Sequence, residues 1–305
     1  QLADTETHAQ VWSERYDGAL TDIFELQDEV TAAIVSAIAP EIDRIELQRT
    51  ARYAPEDLDA WGLYHRGLAL AYSGREADVL AGLRLFDDAR KSDPTLVDAT
   101  AMAAFLRLRF RTHFTDPKSE VYFQEAEELL NEVLRLNASH PMVLVVKGRY
   151  HMVVGEYDLA IHSLEKAIGD NPNLSIAYHE LAFVCSLSGD YERALENTAI
   201  ADKLNPRDPR QSARDAIRAA AYFHLGEHEE CVKWATHSIR SQDPRPWAYG
   251  ILVAGLLQLN RTEDVQNAMN RLRREYPDLS TSSFPADYLS GPFGSALIEA
   301  GLLES

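Results

Sequence analysis

Cysteine and long apolar stretches are scarce in this sequence, and each shortage excludes a class of protein. Two cysteines among 305 residues exclude a scaffold held together by disulfides and are typical of a reducing compartment, so we expect a cytoplasmic location. The longest mostly apolar stretch, Gly250–Leu259, is much shorter than the ~18 residues that a membrane-spanning helix requires. A transmembrane segment is therefore not expected.

Positive charge is also scarce. Thirty Lys and Arg residues stand against 48 Asp and Glu residues, which gives a formal net charge of −18. Because such an acidic surface repels phosphate groups, we expect the chain to bind neither nucleic acid nor an anionic membrane. The chain begins with Gln1 rather than Met and opens on no signal-peptide pattern, which predicts that it is a piece of a longer protein.

The short motifs of common catalytic and nucleotide-binding sites are missing as well. The sequence contains no G-x-S-x-G, no P-loop and no dinucleotide-binding glycine motif. Its acidic pairs, such as Glu229 and Glu230, are typical of solvated helix faces. We therefore expect no catalytic residue and no cofactor in this chain.

An internal repeat occupies the middle of the chain. Pro172 and Pro206 are 34 positions apart, and five further pairs of positions correspond at the same offset. Those pairs are Gly148 and Ala182, Gly155 and Gly189, Tyr157 and Tyr191, Ala160 and Ala194, and Leu164 and Thr198. So many matches at one offset indicate a repeated structural unit.

The repeated residue types predict two antiparallel helices per unit, which we call A and B. Small residues in both helices, such as Gly148 and Ala160, allow a close crossing. The glycine of the A–B turn, Gly155 or Gly189, permits a positive φ. The tyrosine after it covers the crossing, and the late proline ends helix B. One pair cannot bury both of its faces, so the units must stack.

The 34-residue period and these residue types resemble the tetratricopeptide (TPR) family. On the basis of this period and these residue types, about six units are predicted over residues 56–277, and three of them are longer than the consensus. The expected fold is all-α, a TPR superhelix of about six helix pairs with an N-terminal β-hairpin and a C-terminal capping helix.

The two ends of the chain do not follow the repeat. Residues 1–19 alternate in polarity around Val11–Tyr16, which predicts a β-hairpin left from a truncated upstream α/β domain. The exposed edge of such a hairpin could pair two copies of the chain. Residues 20–55 carry apolar side chains at helical spacing and predict connector helices, and residues 278–305 predict a C-terminal cap.

Residues 1–30, the repeats and the ending Leu297–Leu302 together resemble the C-terminal region of bacterial signalling proteins of the class III adenylate cyclase type. In those proteins a cyclase domain precedes a small α/β domain similar to the N-terminal domain of TolB, and a TPR array follows. The resemblance implies a non-catalytic regulatory region that binds a protein or peptide partner. Winged-helix transcription regulators share the segment, so a sensor region of such a regulator is an alternative, as is an array that senses a small molecule.

The resemblance also implies that ligands bind the concave face formed by the A helices. The positions that map to that face are Tyr64, Leu68, Phe105, Arg109, Arg149, Met152, His179 and Phe183. Arg109 and Arg149 could hold an acidic or C-terminal carboxylate group of a ligand. Alternatively, these arginines pair with the abundant acidic residues of neighbouring helices.

One spacing resembles a metal site. His224, His228 and Cys231 could contact one Zn²⁺ if they converged. However, Cys231 falls at the small buried position that Ala160 and Ala194 occupy in other units. We therefore expect no metal.

Overall fold

The structure of the protein is a computed structural model. It describes residues 2–3, 10–12, 38, 42, 45–46, 49–50, 53–72, 75–113, 118–241, 246–276, 289 and 291–301. Within these residues the fold is almost entirely helical, as the repeat predicted.

Twelve of the thirteen α-helices in the described residues form six consecutive antiparallel pairs. The pairs are α1 (Ala60–Ala71) with α2 (Glu76–Ser92), α3 (Val97–His113) with α4 (Ser119–Asn137), α5 (Pro141–Val153) with α6 (Tyr157–Asp170), α7 (Ser175–Ser188) with α8 (Tyr191–Leu204), α9 (Gln211–His224) with α10 (His228–Ile239), and α11 (Pro246–Gln258) with α12 (Thr262–Glu275). The first helix of each pair is an A helix and the second is a B helix.

The turns inside the last four pairs share a left-handed residue. Gly155, Gly189 and Gly226 have φ angles of +80°, +90° and +80°. In the sixth pair Asn260 takes this place with φ +57°. Glycine adopts this conformation without a Cβ penalty, and asparagine is among the few other residues that visit it readily. Gly155 and Gly189, the turn glycines predicted from the repeat, thus have the left-handed conformation expected of them.

Small residues set the distance between the helices of a pair. A Cβ atom added to Gly148 on α5 would lie 2.6 Å from Leu164 Cγ on α6, much closer than van der Waals contact. Ala160, Ala182 and Ala194 are completely buried at the equivalent crossings. The repeated prolines follow the ends of α6 and α8, at Pro172 and Pro206.

The pairs stack into two layers around an apolar core. From α3 to α11, each A helix contacts the next A helix, so the A helices form the inner layer. The B helices form the outer layer. Each packs against its own A helix and, from α2 to α10, also against the following one. Most buried apolar side chains from Ala71 to Leu297 belong to one large cluster, and Leu63, Ala89 and Ala99 form a second, small one.

The chain ends add short elements to the array. Strand β1 (Leu2–Ala3) pairs antiparallel with β2 (Gln10–Trp12), with Leu2 opposite Trp12. Most of the predicted connector lies outside the described residues, although Ile38, Ile42 and Ile45 are helical. Helix α13 (Gly291–Glu299) packs against α11 and α9. The domain boundaries at residues 19, 55 and 277 stay predictions.

Within the part of the chain that the structure describes, none of the helices has the length and apolar character needed to cross a membrane.

The Gly148 crossing gives a test of the packing. We expect Gly148→Ala to lower the free energy of unfolding by about 1–3 kcal/mol, because the new methyl group overlaps Leu164. The matched control is Gly169→Ala on α6, where no atom lies within 4 Å of the added Cβ. Alanine there should leave stability unchanged or raise it by about 0.5–1 kcal/mol. Urea unfolding followed by circular dichroism measures both, and equal stabilities of the two variants would contradict the packing described.

Candidate functional site

Side chains from successive A helices meet on the inner face of the superhelix, which we call the lumen. The guanidinium carbon of Arg149 on α5 lies 5.2 Å from the ring centroid of Phe105 and 5.9 Å from that of Phe183. Phe183 on α7 also stacks on Trp247 of α11, with 6.2 Å between ring centroids. The inner layer therefore curves tightly enough to bring side chains of A helices two pairs apart into contact.

Arg149 is neutralised by Glu180 of α7. Its Nη1 atom donates to both carboxylate oxygens, at 3.0 and 2.8 Å. The two side chains are 2% and 1% exposed. Charges buried this deeply are retained only where an opposite charge and hydrogen bonds replace water. The pair is thus an internal link between the third and fourth helix pairs.

The loop before α9 adds a second buried ion cluster. Asp208 accepts from the backbone N–H and Nε of Arg210 at 2.8 and 2.7 Å, and lies 3.0 Å from Nη1 of Arg214. Burial opposes ionisation of Asp208, but the charge and hydrogen bonds of Arg210, together with the charge of Arg214, outweigh it. They hold the pKa of Asp208 well below its usual range. Asp208 is therefore ionised throughout the physiological pH range.

This loop also contacts the first helix pair. The guanidinium carbon of Arg210 lies 4.8 Å from the ring centroid of Tyr72, the residue that ends α1. Burial raises the pKa of Tyr72 to about 12, although the charge of Arg210 opposes this shift. Pairs one and five are four units apart, so this contact closes the superhelix on itself.

Arg109 provides another contact with the end of α1. It is 4% exposed, and its Nη1 atom donates to the carbonyl oxygen of Ala71. A buried carbonyl at a helix end lacks an intrahelical partner, so a charged donor satisfies it well. Arg109 therefore connects α3 to the C-terminus of α1.

His179 lies in the same charged surroundings and is 7% exposed. Burial lowers its pKa well below the usual 6.5, and the positive charges of Arg210, Arg214 and Arg149 act in the same direction. His179 is consequently neutral at physiological pH.

The eight predicted groove residues do not all meet in one place. Phe105, Arg149 and Phe183 are in direct contact. Arg109 and His179 belong to the surrounding charged cluster, since each interacts electrostatically with groups in it. Of the others, Tyr64 packs on Phe86 of its own pair, Leu68 is partly buried against the core, and Met152 is buried.

Both arginines predicted to hold a ligand carboxylate have partners within the chain, namely Glu180 for Arg149 and the Ala71 carbonyl for Arg109. A ligand carboxylate at Arg149 would have to replace Glu180. Ligand contact by the eight residues therefore stays a prediction.

The sequence indicated acidic partners for Arg109 and Arg149 only as an alternative, and it pointed neither to Glu180 and Asp208 nor to the arginines of α9. Arg214 and Arg218 pair with Asp202 of α8, and Arg218 also contacts Asp215 at 2.8 Å. A signal was present, because Arg210, which directly precedes α9, and Arg214 and Arg218 within α9 recur every four residues, a spacing that places side chains on one side of a helix.

The three residues with metal-like spacing do not converge. His224 stacks on the ring of Tyr191 at 4.8 Å, whereas the Cys231 sulfur faces the carbonyl oxygen of Ile251 at 3.8 Å. His228 packs near Phe223. Among the described residues, no group of three or more His, Cys, Asp or Glu side chains could hold a metal ion.

Comparisons with known proteins place this geometry in context. No family model matches the chain. A curated protein named "Putative adenylate cyclase 3", from Rhizobium meliloti (strain 1021), is 30% identical to it over 108 residues. That match covers 35% of this chain and 18% of the relative, so the chain corresponds to a small part of the relative's length.

Two solved structures share the fold. One chain of the APC/C hetero-tetramer Cut9–Hcn1 aligns over 87% of this chain and 47% of its own length, with a TM-score of 0.59 and 14% identity. PilW, a type IV pilus biogenesis factor, aligns with 79% of this chain and 96% of its own, with a TM-score of 0.51 and 13% identity. The chain has a TPR-like helical-repeat fold, as its sequence predicted.

The buried pair Arg149–Glu180 gives a second test. We expect Arg149→Met and Glu180→Met each to lower the free energy of unfolding by about 3–5 kcal/mol, because each substitution leaves the opposite charge buried without its partner. The double variant should lose clearly less than the sum of the two losses.

Urea unfolding of the four proteins measures the coupling. The exposed pair Arg261–Glu229, with side chains 43% and 66% exposed, is the control, and Arg261→Met should cost less than ~1 kcal/mol. If the stability lost by the double variant equals the sum of the losses of the two single variants, the pairing is refuted.

His179 makes stability depend on pH. Its folded-state pKa lies below the unfolded value near 6.5, so its contribution is present above pH 6.5 and is lost as the pH falls. Between pH 6.5 and 5 we expect the wild type to lose up to ~1.4 kcal/mol per pH unit more than His179→Gln. His162→Gln, which removes an exposed histidine, should behave as wild type. Chemical unfolding at several pH values measures this, and identical pH dependence of wild type and His179→Gln would contradict it.

Proposed function

We propose that this chain is a non-catalytic protein-interaction and regulatory region of a larger cytoplasmic bacterial signalling protein, and that the larger protein is an adenylate cyclase. The observation that carries the proposal is the 30% identity with the Rhizobium protein named as an adenylate cyclase. The TPR-like fold supports the interaction role, because superhelical repeat arrays offer extended concave surfaces to their partners.

The chemistry of the described residues supports a binding role over a catalytic one. Burial raises the pKa of Cys185 to about 11 and that of Cys231 to about 12, so neither thiol is a ready nucleophile. The perturbed Asp208 is held ionised by arginines, as expected of a structural ion cluster.

We further propose that the partner is a peptide or protein segment with an acidic group, bound in the lumen between Phe105 and Phe183. Arg149 lies between these two rings and already binds a carboxylate, that of Glu180. An incoming carboxylate would take the place of Glu180 at the same guanidinium.

Contacts across the lumen would transmit the binding of such a partner to the rest of the protein. Arg109 and Arg210 both touch the last turn of α1, at Ala71 and Tyr72. The predicted connector, residues 20–55, leads into α1. A partner that displaces lumenal side chains would therefore shift the helix nearest to the connector.

The test uses the whole protein encoded by the native gene. We expect it to convert ATP to cAMP, and deletion of residues 56–305 to change that rate several-fold, while the isolated chain forms no cAMP. A whole protein without cyclase activity would refute the parent assignment. Equal rates with and without the array would refute the regulatory role. Specific DNA binding by the whole protein, in place of cyclase activity, would instead identify a transcription regulator.

A further inference from the structure

We propose that the inner face of the last two helix pairs is a helix-binding groove, and that the C-terminal helix α13 fills it as an internal ligand that a partner helix can displace. This inference is independent of the adenylate cyclase assignment and of the lumenal carboxylate site.

The position of α13 is the first observation. It packs against α11 and α9, which are both A helices, so it lies on the inner layer of the array. In a repeat array this is the concave side, where an extended surface is available to a ligand. Helix α13 therefore sits where a bound segment would sit.

The side chains of α13 divide into two faces. Ala296 and Leu297 are 2% and 0% exposed, and Ala300 is partly buried against the core. Ile298 and Glu299 point to solvent, and Ile298 is 43% exposed. Among the described side chains, the contact with the array thus includes a small residue, a leucine and a second small residue four positions after the first, all on one face of the helix.

The α11 wall of the surface beneath α13 is apolar. Helix α11 contains most of the stretch Gly250–Leu259, the most apolar stretch of the sequence. From Trp247 to Leu256 every residue is buried, so α11 presents apolar side chains in all directions. A helix of this kind is stable only when every side is covered. In the described chain, α13 contributes to that cover on the inner side of α11.

Helix α13 is short. It has nine residues, fewer than a helix needs to be stable alone in water, so its folding depends on docking. Among its described side chains, Ala296 and Leu297 are the large contributors to the contact, since both are buried and belong to the apolar core. A partner segment with the same small–Leu pattern on a longer helix can therefore compete with α13 for α11 and α9.

The partner that fits is a short amphipathic helix with an alanine–leucine pair and a second small residue four positions after the alanine. Its binding would also affect the lumen, because Trp247 of α11 stacks on Phe183 beside Arg149. The groove and the lumenal cluster are thus neighbouring parts of one inner face.

The test uses a fluorescent peptide with the sequence of residues 289–305, followed by fluorescence polarisation. We expect it to bind the chain truncated after residue 288, and to bind the full chain at least ten-fold more weakly because α13 competes in cis. In the full chain, Leu297→Glu should eject α13 and restore peptide binding. The matched control, Ile298→Glu, changes an exposed residue of the same helix and should leave the groove closed.

Three outcomes would overturn the proposal. The first is that the peptide binds none of these proteins. The second is that it binds the wild-type chain as tightly as the truncated chain. The third is loss of the helical circular dichroism signal in both the truncated chain and Leu297→Glu, since α13 would then be an obligatory part of the fold. A peptide carrying Leu297→Glu should not bind, and binding by that peptide would also contradict the assigned contact.

Discussion

The buried charges between A helices are the constraint on which this structure depends. Arrays of helical repeats usually behave as one-dimensional stacks in which each unit contacts only its neighbours. Here Arg149 and Glu180 join neighbouring pairs, but Arg210 also reaches from the fifth pair to Tyr72 at the end of the first. Burial of these guanidinium groups is tolerable because carboxylates, aromatic rings and a helix-end carbonyl surround them. The lumen is thus held closed by side chains rather than left as an open groove.

A closed lumen changes how binding would work. In an open array a ligand meets a preformed surface, whereas here an acidic ligand would exchange with Glu180, and a helical ligand would exchange with α13. Both exchanges replace an internal contact by an external one of the same chemistry, so the net affinity is the difference between two similar interactions. Such sites favour partners that are tethered or locally concentrated, which suits a region of a multidomain protein.

The sequence predicted the repeat architecture well because that architecture depends on local signals. Gly148 marks the close crossing of one helix pair, Gly155 its turn and Pro172 the end of its second helix. The crossing and the turn are found at these positions in the structure.

The contents of the lumen could not be read in the same way. Glu180, Asp208 and Arg214 act across different helix pairs, and a 34-residue period carries no information on how tightly successive pairs curve. The sequence therefore points to Arg109 and Arg149 but leaves open whether their partner is a ligand or an acidic residue of the chain. In the structure the partners are Ala71 and Glu180 of the chain itself.

The most direct test of this account is hydrogen exchange along the chain in the variant Arg210→Ala. Closure through the lumen predicts that exchange accelerates in α1, four units away, as well as in the neighbouring pairs. Arg207→Ala, which changes an exposed arginine of the same loop, should leave α1 as protected as in the wild type. If Arg210→Ala affects only the fourth, fifth and sixth pairs and α1 stays fully protected, the array is an ordinary stack and the closed lumen is refuted.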